Sequence, residues 1–80
     1  MIGWCKLISE TSDKMKIAYS LEKNKNCDGE LTYDKITKEF TIEKLPEGED
    51  GWLTNHFICP LRSRIREAME LGKRYMVMTG

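Results

Sequence analysis

Apolar and polar side chains alternate along three successive stretches of the first half of the chain. Met15, Ile17, Tyr19 and Leu21 alternate with Lys16, Ala18, Ser20 and Glu22. Leu31 and Tyr33 alternate with Glu30, Thr32 and Asp34, and Phe40 and Ile42 with Glu39, Thr41 and Glu43. Successive side chains of a strand point to opposite faces, so each stretch predicts a strand with one buried face and one wet face. Between them, Asn24–Gly29 predicts a loop turning at Asp28-Gly29, and Asp34–Lys38 has the length of a hairpin connection. The opening run, Ile2–Ser9, differs: Trp4 and Ile8 share one side, Cys5 and Leu7 the other. It predicts a strand covered at least partly on both faces. Glu10–Asp13 is polar and predicts the turn into the second strand.

Pro46, Gly48 and Gly51 then interrupt the alternation, so residues 45–51 predict a loop within one domain. Beyond it the period becomes helical. Phe57, Ile58, Leu61, Ile65, Ala68 and Met69 fall within about 120° of one another on a helical wheel. Ser63, Arg66, Glu67 and Glu70 lie opposite. This predicts an amphipathic helix starting near Thr54 or Asn55, with Gly72 just past its end as a left-handed cap. Pro60 inside that helix would remove a hydrogen bond to the carbonyl of His56, at a cost of about 3 kcal/mol unless the helix bends. A start at Pro60 itself is the alternative, but Phe57 belongs to the apolar stripe and favours the earlier start. Tyr75–Met78 is wholly apolar and predicts a fifth strand.

The expected fold class is therefore α+β: a small antiparallel four-strand meander, one amphipathic helix packed on the sheet, and a short C-terminal fifth strand. A single domain over residues 1–80 is expected. The helix is expected to lie across Met15, Ile17, Tyr19, Leu31, Tyr33, Phe40 and Ile42, because one-sided strands need a cover and the helix has one stripe to bury.

The first and last strands carry more apolar side chains than one helix can cover. On the last strand Met76 and Met78 are set against Tyr75 and Val77. Contiguous exposed apolar patches often mark interfaces. The two strands are thus expected to be neighbours, with Trp4, Ile8, Met76 and Met78 as candidates for contact with a protein partner or, in a twofold homodimer, a second copy. The competing expectation is that Trp52 and Leu53 fold back over that face, or that Trp4 simply stays half exposed.

Composition narrows the function classes. Hydrophobic residues at 40% and charged residues at 32% suit a folded domain and argue against disorder. A net charge of zero removes any long-range electrostatic case for nucleic acid or an anionic membrane. The zero conceals an asymmetry: from Trp52 onward Arg62, Arg64, Arg66, Lys73 and Arg74 face only Glu67 and Glu70. The three cysteines are an odd number, the N-terminal region has no exporting apolar run, and no stretch approaches the roughly 20 apolar residues of a membrane span. A cytoplasmic protein with reduced thiols and no membrane contact is expected. The lysine- and glutamate-rich composition is similar to that of many small bacterial proteins, which implies no activity.

Three constellations bear on chemistry. His56 and Cys59 stand in an H-x-x-C spacing that could supply two zinc ligands or a thiolate–imidazolium pair. Cys5 and Cys27 are too remote in sequence to form the second close pair that structural zinc sites usually show, and a nucleophile would still lack an orienting group and an oxyanion site. Free cysteines are more often small buried hydrophobes. Arg62, Arg66, Lys73 and Arg74 are candidates for phosphate contact in a nucleic-acid-associated regulatory domain, against the plainer reading of a solvated helix face with ion pairs. The acidic cluster Glu47, Glu49 and Asp50 lacks calcium-loop spacing. No phosphate-binding glycine motif, catalytic set or cofactor signature is present, and no motif ties the chain to a family whose activity could be carried over. The sequence thus points to a non-enzymatic protein-interaction domain working without a cofactor.

Overall fold

The computed structural model describes residues 2–21, 26–48 and 51–78, and of Trp52 and Leu53 the backbone alone. Among these residues the chain forms five strands and one helix: β1 (Ile2–Glu10), β2 (Lys14–Leu21), β3 (Gly29–Asp34), β4 (Phe40–Lys44), α1 (Trp52–Arg64) and β5 (Arg74–Met78). The strands make one sheet in the order β4-β3-β2-β1-β5, antiparallel at every pairing. This is the four-strand meander with a fifth strand added beside β1. The first and last strands are neighbours, from Ile2↔Met78 to Lys6↔Arg74.

One face of the sheet is the core face. Cys5 and Leu7 of β1, Met15, Ile17, Tyr19 and Leu21 of β2, Leu31 of β3 and Val77 of β5 meet Phe57 and Leu61 of α1, all of them buried. Tyr33, Phe40, Ile42, Ile65, Met69 and Tyr75 pack around this cluster and are half-buried. The rows predicted from alternation are the rows that meet the helix.

The N-terminal half of α1 is seated by one backbone turn and two close approaches. Gly51 takes φ 97° just before the first turn, a conformation that favours glycine. Thr54 and Tyr19 share a buried hydroxyl–hydroxyl hydrogen bond of 2.9 Å. Phe57 lies directly over Gly3, where a Cβ would come within 2.2 Å of the ring. The helix passes through Pro60, as its predicted early start requires. Its proline ring stands where an N–H would have bonded to the carbonyl of the exposed His56.

The far end differs from expectation. The helix stops at Arg64, so Ala68, Met69 and Gly72 lie beyond it. Thirteen residues span about 20 Å. The chain instead folds down onto β5. The Arg64 guanidinium bonds Glu67 at 3.1 Å and sits 4.1 Å from the centre of the Tyr75 ring. The amide of Glu70 donates to the Tyr75 hydroxyl at 2.8 Å. Gly72, at φ 79°, caps no helix; its amide donates to the carbonyl of Leu7 at 2.9 Å and so aims the chain into β5. Among the described residues no helix is long and apolar enough to cross a membrane.

Candidate functional site

With α1 on the core face, the other face of the sheet is built from the alternate residues. On β1 these are Ile2, Trp4 and Lys6; on β5, Arg74, Met76 and Met78; on β2, Lys16, Ala18 and Ser20. The register sets Trp4 beside Met76 on one side and Ser20 on the other, and Ile2 beside Met78. Ile2, Met76 and Met78 are 40%, 51% and 67% exposed. Trp4 is half-buried, with the Arg74 guanidinium 5.1 Å from its ring centre, within cation–π range. Ala18 and Ser20 are buried although no helix covers them. They are small side chains flanked in register by Lys6 and Trp4, whose bulk shades them.

This outer face changes character across its width. The β5–β1 side carries the apolar strip, Lys6, Arg74 and Lys16 follow, and the β3–β4 side carries Glu30, Thr32, Thr41 and Glu43. Lys16 reaches Glu30 at 3.8 Å, and Thr32 donates to Glu43 at 3.1 Å. Three of the four interface candidates, Trp4, Met76 and Met78, therefore share one strip. Ile8 does not join them: it falls at the register irregularity between Leu7 and Ser9, beyond Lys6, and is 41% exposed. Ile2, not singled out from sequence, completes the strip. Its place was readable from the alternation, two residues before Trp4. The side chains of Trp52 and Leu53, expected as an alternative cover, lie outside the described residues.

The four basic candidates do not make one surface. Arg62 donates to the carbonyl of Lys38 at 2.6 Å and lies over the Phe40 ring at 5.0 Å, on the helix side. Arg66 is exposed in the turn after α1, and Lys73 stands 5.4 Å from the Tyr75 ring centre. Arg74 is on the outer face over Trp4.

The thiols and the histidine are likewise dispersed. His56 and Cys59 are exposed on α1, and among the described residues no three His, Cys, Asp or Glu side chains are grouped to hold a metal ion. Cys5 is buried against the helix, and burial pushes its thiol up to about 11. Cys27 is half-buried beside Ser20, its thiol also raised by burial. Thiol exposure orders reactivity. An alkylating reagent at neutral pH is expected to modify Cys59 first, Cys27 more slowly and Cys5 only on unfolding, as read by peptide mass analysis over time. The folded thiol of Cys5 lies above its ordinary 9.0, so its contribution to stability is complete below pH 9 and declines as pH climbs toward about 11.

An open depression of about 530 Å³ lies near the C-terminal end of α1, floored by Met15, Tyr33, Ile65 and Met69. The rim mixes Glu10, Lys35, Arg66 and Glu67, with Lys35 already paired to Glu10, and no set of polar groups converges on its floor. No protein-family model, no curated protein and no solved structure matches the chain.

Proposed function

We propose that this domain works by binding protein, and that its first partner is a second copy of itself, met on the β1–β5 side of the sheet. The observation that carries the reading is the strip Ile2, Trp4, Met76 and Met78, contiguous in register on the face opposite the helix. A sheet with one face left open normally makes that face polar. Here the β3–β4 half follows the rule and the β1–β5 half departs from it. Full burial of one such side chain contributes about 1.5–3 kcal/mol, so shielding the exposed parts of this strip on both copies favours association. A nucleic-acid role has weaker support, because Arg62 and Arg74 sit on opposite faces of the sheet and share no stripe.

Sedimentation equilibrium from low micromolar to millimolar concentration tests the proposal. The weight-average mass is expected to rise from the 9.3 kDa chain toward twice that value. A single-chain mass throughout would refute self-association.

A further inference from the structure

We infer that two copies join edge to edge through β5, antiparallel and in a register centred on Met76, so that two sheets become one continuous sheet. The inference rests on the self-association proposed above and goes beyond it by naming the joint.

The two edges of the sheet are built differently. At one edge, β4 alternates Phe40 and Ile42 with Thr41 and Glu43 and ends in Lys44. Its ladder with β3 is irregular between Glu30 and Leu31, and Lys38 and Glu39 precede it. Charges and irregularities of this kind keep an edge from pairing with another chain. At the other edge, β5 opens on Arg74, after Lys73, and its remaining four residues, Tyr75 to Met78, carry no charge and no proline. It keeps regular register with β1 over all five pairs, and among the described residues no strand lies on its far side. A regular apolar edge is a template for strand addition.

The strand is also complementary to itself. Antiparallel pairing about Met76 sets Met76 against Met76 of the second copy, Tyr75 against Val77, and Arg74 against Met78. No like charges meet. Tyr75 and Val77 share the core face in each copy, while Arg74, Met76 and Met78 share the outer face, so core-face residues meet core-face residues across the joint. Backbone groups of a strand point alternately to its two sides. A register centred on one residue therefore pairs the outward groups whether residues 74, 76 and 78 or residues 75 and 77 present them. The joint sets Met76 beside Met76 and Met78 beside Arg74 of the second copy and so shields the methionines of the strip from the side, while Ile2 and Trp4, one strand further in, stay on the open face.

Amide hydrogen exchange followed by NMR, in dilute and in concentrated protein, tests the joint. In the concentrated sample the outward-pointing amides of β5 are expected to exchange at least about tenfold more slowly, with the outer-edge amides of β4 unchanged. A dimer whose outward β5 amides exchange as fast as in the dilute sample would overturn the edge joint while leaving self-association standing. A chain that stays single at every concentration would remove both.

Discussion

Replacing Phe57 with alanine is expected to destabilise the domain by about 3–5 kcal/mol, the range for losing a buried phenylalanine side chain. A chain of 80 residues has about 4–12 kcal/mol of stability in all, so this one change removes a quarter or more of it and can leave the protein unfolded. The size of the effect follows from position. Phe57 is fully buried, stacks on Tyr19 with ring centres 5.9 Å apart, and fills the space that Gly3 leaves open. Urea unfolding followed by circular dichroism reads the loss. The same contact predicts the reciprocal result. Gly3→Ala is expected to lower stability by about 1–3 kcal/mol through overpacking, and by less when Phe57 is leucine, because the two positions are coupled.

The second large effect falls on association rather than folding. The double substitution Met76→Lys and Met78→Lys is expected to weaken self-association by at least about a hundredfold, or about 2.7 kcal/mol. It removes two apolar contacts and brings lysines of the two copies together. Both side chains point away from the core and are more than half exposed, so the urea midpoint should move by no more than about 0.5 kcal/mol equivalent. Thr41→Lys, on the same face but on β4, is the control and should leave the association constant unchanged. Sedimentation equilibrium of the three proteins checks the association constants, and urea unfolding of each checks the stability.

The sequence pattern reads the sheet well because its strands are one-sided. The period-two runs at Met15–Leu21, Leu31–Tyr33 and Phe40–Ile42 became β2, β3 and β4, with the expected residues turned to the helix. The doubly apolar first strand was legible in part, since one of the two faces expected to be covered is the open one. It lies inside the sheet with Cys5 and Leu7 under the helix and Trp4 on the open face. The end of α1 was not legible. Ala68 and Met69 continue the apolar period, but the helix ends where Arg64 reaches Glu67 and Tyr75, and the second of these contacts exists only once β5 is in place. Ile8 lies off the strip for a similar reason, since the irregularity beside it leaves no mark in the alternation. The basic run Arg62–Arg66 looked like one cluster because its members are close in sequence. Helical rotation and the turn after α1 give each arginine a different neighbour.

The most direct test of the account is a dilution series of ¹H–¹⁵N spectra of the intact protein. If the β1–β5 side is the contact, shifts should change with concentration in Ile2–Lys6 and Arg74–Met78, while β3, β4 and α1 hold their positions. Concentration-independent spectra, or changes centred on β4 or on the exposed side of α1 around His56 and Cys59, would contradict it.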